Sequence, residues 1–358
     1  MAIYLIYMAS PAIVYVLLEA FTHKVVNEDA WLRKIFLFIC GTLMALMIGL
    51  RHKYVGSSDS AFYYRFWETM SKLPLAELEQ FIENQNMEKG YQIAVWIFSH
   101  IFPNGQYSFI VSGAFYAITF CTFVNKNCKN AMLALMVYNC LGLFGFMVQG
   151  MRQAIAMCIC LWALEPCKER KFLKFALLVA LACTFHMSAV VFSAVYFIKG
   201  FDLKAKSILL FTVLAGIFVL FLPSIFNLMN TLINDSYEID QGAESGGVVS
   251  VLIFFVSILF GLFFQDRQDS NFPLFVYATV VAMMALIMRN TVSSIAERIS
   301  DYFAFGQMVI ISNSVASLKD DKEQTILIFV VTLLCLGVAI YKAATSAILI
   351  PYIFYWQY

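Results

Sequence analysis

Residues 172–198 read FLKFALLVALACTFHMSAVVFSAVYFI, an apolar run of 27 residues with His186 near its middle. As one helix rising about 1.5 Å per residue it would be roughly 40 Å long, more than the roughly 30 Å of a hydrocarbon core. Lys168, Arg170, Lys171 and Lys174 mark its start, and Lys199, Lys204 and Lys206 follow its end. Short loops rich in Lys and Arg stay on the cytoplasmic side, so both ends of the run belong to the same side. The run must go out and return, with His186 at the outer turn of two short helices.

Composition agrees with a membrane reading. The chain is 61% hydrophobic and only 13% charged, with mean hydropathy +0.78, against roughly 45–50% apolar and about 25% charged for a soluble domain. Lys plus Arg (24) nearly balances Asp plus Glu (23), so the basic field of a nucleic-acid binder is absent. Apolar runs at 2–19, 35–50, 107–124, 131–148, 207–226, 248–264, 272–288, 299–316 and 325–341 are the clear spans. The first has no basic residue before it and reads as a retained helix, not a signal peptide. Lys24, Arg33 and Lys34 place one loop inside, as do Lys126 and Lys129. An even number of crossings must separate them, so 91–102 reads as a half-helix that dips in from the outer side, and 154–164 is another short run. The expected fold is all-α and polytopic: a single membrane-embedded domain over 1–358 with about 9–10 full spans plus several short or re-entrant helices. Two outer loops follow. Residues 51–90 carry amphipathic surface helices, with Phe62, Phe66, Met70 and Leu73 at helical spacing. Residues 227–247 hold Asp235, Glu238, Asp240 and Glu244 and no Lys or Arg.

Charge at a membrane edge is expensive and marks function by default unless it lies at a basic inner rim. Arg51, Asp59, Glu88, Arg152, His186 and Arg298 all fall at the outer face of this topology. Asp59 sits in GLRHKYVGSSDSAFYY, residues 49–64, where it also suits a helix cap shared with Ser57, Ser58 and Ser60. Arg152 and Gln153 sit in QGMRQ, residues 149–153, where a glycine before an arginine at a helix N-terminus makes an anion site. His186 lies in TFHMS, residues 184–188, and a lone histidine there is more often a satisfied packing residue than a catalyst. In AERISDYF, residues 296–303, Glu297, Arg298 and Asp301 are placed to neutralise one another. The nine cysteines include Cys158 and Cys160, whose spacing is no zinc or redox motif, and read as buried thiols. No Walker loop, dinucleotide fingerprint or metal-binding motif is present. No cofactor and no metal is expected, and a reaction at the outer face must draw its energy from an activated, lipid-linked substrate.

Taken in order, these motifs resemble the EpsG-like branch of the Wzy-type polysaccharide polymerases: GLR, then V-G-x-x-D with aromatics, E-x-G-Y, G-x-R-Q before a helix, F-H-x-S, and E-R-I-x-x-Y-F. The likeness runs from about Leu46 to Phe303, with Gly56 to Asp59 one residue longer than the family's G-T-D; Pro351 and Tyr352 also fit the family. The resemblance implies a multi-pass enzyme of the bacterial inner membrane whose site faces the periplasm. It would polymerise undecaprenyl-pyrophosphate-linked oligosaccharide repeat units, moving the growing glycan onto the sugar hydroxyl of a new unit and releasing undecaprenyl pyrophosphate. Its partners would be that lipid-linked glycan and the bilayer, with a chain-length regulator and a flippase, and no nucleic acid. Arg51, Arg152, Arg298 and Gln153 would hold the pyrophosphate. Asp59 or His186 would act as the base, with Glu88 as sugar binder or substitute. Tyr63, Tyr64 and Tyr91 would stack on sugars. The competing readings are a flippase or transporter of the same lipid-linked sugar, which would show two similar halves, and an O-antigen ligase.

Overall fold

A computed structural model describes residues 2–214, 216, 217, 221, 224, 247–264, 266, 268–345 and 351–357. The described residues are almost wholly helical. In chain order the helices are α1 (Ala2–Thr22), α2 (Ala30–Gly49), α3 (Ser57–Met70), α4 (Leu75–Glu83), α5 (Lys89–Ile101), α6 (Gln106–Asn127), α7 (Ala131–Leu141), α8 (Leu143–Gln149), α9 (Met151–Lys168) and α10 (Phe172–Cys183). A 3₁₀ segment, Met187–Ser193, leads into α11 (Ala194–Ile198), followed by α12 (Ala205–Leu214), α13 (Gly247–Phe263), α14 (Phe272–Ile287), α15 (Arg289–Phe303), α16 (Phe305–Ala316) and α17 (Asp321–Thr345).

Among the described residues α1, α2, α6 and α17 are long and apolar enough to cross a membrane. The expected run 131–148 is one span only if a 57° bend between α7 and α8 is allowed. The bend falls at Gly142, whose φ of +80° is a conformation that side chains with a Cβ rarely adopt. The run 299–316 is likewise divided, at Ala304, and its first residues, 299–303, belong to α15, which begins at Arg289. The runs 248–264 and 272–288 form the shorter α13 and α14. Only the first part of 207–226 is described, and the acidic stretch 227–246 lies outside the described residues. The out-and-back reading of 172–198 matches: α10 ends at Cys183, the chain turns at His186, and the 3₁₀ segment packs back along α10.

α3 and α4 are the two helices expected within 51–90. Their apolar faces are turned onto protein: Tyr63, Phe66, Trp67, Met70, Leu78 and Ile82 are buried with Tyr91 and Val95 of α5, Phe109 of α6 and Met151 of α9. Phe62 stays exposed. The indole of Trp67 donates to the Phe102 carbonyl at 2.8 Å, and that of Trp96 to the Leu73 carbonyl at 2.9 Å. A satellite layer of α3, α4 and α5 is thereby fixed over the ends of α6 and α9.

Arginines secure both ends of α2. Arg33 donates to the Val124, Cys128 and Lys129 carbonyls at 3.1, 2.5 and 2.9 Å, satisfying the C-terminus of α6. Arg51 has no exposed surface. Its guanidinium donates to the Ile48 and Val148 carbonyls at 2.8 and 3.2 Å and lies 3.9 Å from the Phe109 ring centroid. A C-terminal strap completes the enclosure. The His52 amide donates to the Ile353 carbonyl, the Tyr355 amide to the Leu50 carbonyl, and the Tyr352 hydroxyl to the Met47 carbonyl. Replacing Arg51 by leucine takes the guanidinium from the Ile48 carbonyl and leaves the Val148 carbonyl with the Ser60 hydroxyl alone of its two side-chain donors. Arg51→Leu should cost about 1–3 kcal/mol, seen as an earlier unfolding midpoint of the detergent-solubilised protein.

Candidate functional site

Three interruptions of helix meet at one place: the start of α5, the break between α8 and α9, and the turn between α10 and the 3₁₀ segment. Gly90 makes the first contact close. A Cβ there would collide with the Thr184 side chain and lie 2.8 Å from its carbonyl oxygen, which accepts from the Tyr91 amide at 3.1 Å. Glu88, at the N-cap position of α5, is thus held against the His186 turn. One of its carboxylate oxygens accepts from the Met187 amide at 3.0 Å, and the other from Arg152 Nη1 at 2.5 Å. Arg152 enters from the first turn of α9, just after Gly150, and its Nε donates to the Tyr63 hydroxyl at 3.4 Å. No hydrogen bond among the described residues uses its Nη2, and the side chain is half-buried. The guanidinium is therefore oriented on two sides with one edge available to an anion.

His186 caps the 3₁₀ segment. Its Nδ1 accepts from the Ser188 amide at 3.4 Å and lies 2.7 Å from the Ser188 hydroxyl, which is itself 3.2 Å from the Tyr302 hydroxyl of α15. Because a backbone N–H points at Nδ1, the proton of the neutral ring belongs on Nε2. Burial, and then the positive fields of Arg152 and Arg298, push the imidazole down to about 3. The Arg298 carbonyl accepts from the Gln153 amide at 2.9 Å, which ties α15 to α9.

Of the residues singled out from the sequence, Glu88, Arg152, Gln153, His186, Arg298, Tyr63 and Tyr91 converge here. Tyr63 and Tyr91 are buried, with ring centroids 5.9 Å apart. Both rings serve as walls inside the packed layer rather than as open stacking faces. Asp59 is exposed on the first turn of α3, where the N-cap position falls to Gly56, and its charge reaches Tyr63 one turn on. It stands at the rim. Tyr64 points elsewhere, its hydroxyl 3.5 Å from Asn104, in a pocket shared with His52 and Lys53. Arg51 is enclosed by protein and stands outside the group. Ser188 and Tyr302 are the additions. Both lie inside the TFHMS and AERISDYF stretches, but a hydroxyl in an apolar run gives no signal until its partner is placed.

Beside the charged cluster runs an apolar groove of about 240 Å³, lined by Trp67, Tyr91, Phe98, Phe115, Met151 and Phe185 among others. Met151 adjoins Arg152, and Phe185 adjoins His186. A charged cluster and an oily channel therefore share a boundary.

The sequence model of the EpsG family matches residues 34–355. No curated protein and no solved structure matches the chain.

The folded protein keeps His186 neutral, while the unfolded chain protonates it near 6.5. Between those values the unfolded state binds more protons, so this contribution is full above about pH 6.5 and fades as pH falls toward 3. The unfolding midpoint of His186→Gln should therefore drop less than that of the parent protein between about pH 7 and pH 4 in the same detergent.

Proposed function

Because the chain belongs to the EpsG family, a family of polysaccharide polymerase-type membrane proteins with glycosyltransferase-like chemistry, we propose that it elongates a glycan carried on undecaprenyl pyrophosphate. The observation that carries this reading is the shared boundary between the Arg152–Glu88–His186 cluster and the apolar groove. A pyrophosphate on a polyprenyl chain has the matching halves: a compact anion and a long hydrocarbon.

In this reading Arg152 presents its free edge to the pyrophosphate and Arg298 adds a second positive charge. The Nε2–H of His186 donates a hydrogen bond to a phosphate oxygen. As the bond to the anomeric carbon breaks, negative charge grows on the leaving oxygen, and fixed donors in a water-poor site stabilise it there without reorganising. Glu88 acts as a positioning residue: it fixes Arg152 and, through the Met187 amide, the His186 turn. The base role considered for His186 does not suit this tautomer, since Nδ1 is already occupied by the Ser188 amide. The polyprenyl tail lies along the groove between α5, α6 and α9. In this reading the cluster works at the outer, periplasmic face of the bacterial inner membrane, a position that the positive-inside pattern of the loops supports; no nucleotide donor is at hand there and the lipid pyrophosphate supplies the energy.

The test is reconstitution of the purified protein with lipid-linked repeat units, without nucleotide, followed by gel separation of the glycan. Arg152→Gln should reduce polymer formation by about 100-fold or more, and Arg152→Lys, which keeps the charge but not the planar fork, should fall between. Polymer made by R152Q at the parent rate would falsify the assignment. In cells, loss of the protein should leave single repeat units on the final acceptor; their absence would favour a flippase or ligase.

A further inference from the structure

The neighbouring face of α15 opens on a different chamber. Arg298 and Tyr302 of this helix turn toward His186, whereas Glu297, Ser300 and Asp301 line a cavity of about 330 Å³ on the other side of the α8–α9 break. Asn139 of α7, Gln149 of α8 and Lys342 of α17 complete its polar wall, with phenylalanine rings between them. The volume is within the range of small-molecule sites.

Two of its polar groups, on Asn139 and Asp301, are under-used. Asn139 is 4% exposed; its amide donates to the Met8 carbonyl at 3.3 Å while its Oδ1, buried at the cavity wall, has no partner among the described residues. A buried acceptor of that kind costs free energy unless something donates to it. Lys342 Nζ reaches the Leu141 carbonyl at 3.1 Å, at the bend beside Gly142. No hydrogen bond or salt bridge among the described residues reaches the Asp301 carboxyl group, although Glu297, Lys342 and Arg298 all lie within electrostatic range of it. Lys342 is the one basic side chain among the described lining residues, too little to hold a pyrophosphate. Hydroxyl-rich ligands suit it instead. Carboxylate and amide oxygens accept from sugar hydroxyls, the ammonium donates, and aromatic rings cover the C–H face of a pyranose.

We propose that this cavity seats the acceptor sugar of the incoming lipid-linked unit, and that the Asp301 carboxylate takes the proton of the attacking hydroxyl. The inference rests on the reading of the Arg152 cluster as the pyrophosphate site. In the step, the hydroxyl oxygen bonds to the anomeric carbon of the donor glycan and its proton passes to Asp301. The bond from that carbon to the pyrophosphate oxygen breaks, and its electron pair leaves on the pyrophosphate held by Arg152 and Arg298. Arg298 stands within electrostatic range of both His186 and Asp301, so one helix carries donor recognition on one face and acceptor activation on the next.

The experiment compares Asp301→Asn with Arg152→Gln in nanodiscs, using undecaprenyl pyrophosphate as the binding probe and the cell's own lipid-linked repeat units as substrate. D301N should bind the probe within about twofold of the parent protein while polymer formation falls by about 100-fold or more; R152Q should lose both. Retained probe binding also shows that D301N is folded. Should D301N not be recovered, Glu297→Gln and Lys342→Gln, from two different walls of the cavity, should show the same split. Parent-level polymer from D301N, or loss of probe binding in D301N, overturns the acceptor chamber. Unchanged probe binding in R152Q instead overturns the pyrophosphate reading beneath it.

Discussion

A backbone carbonyl stripped of water must find a donor, and in this protein that requirement decides where the scarce basic side chains go. Arg33 serves the end of α6, Arg51 the ends of α2 and α8, and Lys342 the end of α7. Each is committed, partly or wholly, to closing a helix. Arg152 is spent differently. Its partners are a carboxylate and a tyrosine hydroxyl, not carbonyls, so it contributes nothing to finishing a helix end. An arginine that is oriented but not consumed is available to a ligand, and this distinction separates Arg152 from Arg51 although the sequence offers both on equal terms.

The same requirement explains why the site lies where helices break. Each interruption frees amides and carbonyls that only polar side chains can satisfy. Three interruptions brought together pull Glu88, Arg152, His186 and Ser188 into one small volume, with α15 laid across them. The apolar residues next in sequence, Met151 and Phe185, are drawn to the same boundary and form the adjoining groove. Charge and oil are neighbours here because they are neighbours along the chain.

Much of this was legible in residue order. The turn at His186 follows from basic residues at both ends of a run too long for one crossing, and the break before Arg152 follows from Gly150. The all-α, polytopic class follows from composition. Other features had no local signal. Leu-Gly-Leu at 141–143 looks like any apolar helix, and the positive φ of Gly142 emerges only when α7 is packed against α17. The stripe of Phe66 and Met70 reads equally well as a membrane-facing surface, because lipid and a protein core are similarly apolar; contact with α5 decides between them. Arg51 reads as an outer-rim charge until the strap and Phe109 enclose it. The Ser188–Tyr302 pair spans 114 positions, and nothing near either residue announces the other.

The enclosure of Arg51 also has a meaning in time. Met47 and Tyr352, which share one of its covering bonds, are 305 positions apart, among the longest loops the chain closes. A contact between such distant segments forms only after the intervening helices have been made and inserted. During synthesis Arg51 therefore has its Ile48 and Phe109 neighbours early, its Val148 carbonyl later, and its strap last. The guanidinium can remain hydrated through most of assembly and lose that water only when the fold is nearly finished. The seat of this arginine is thus shared by four distant stretches of chain, around residues 48, 109, 148 and 352, and misplacing any one of them opens it.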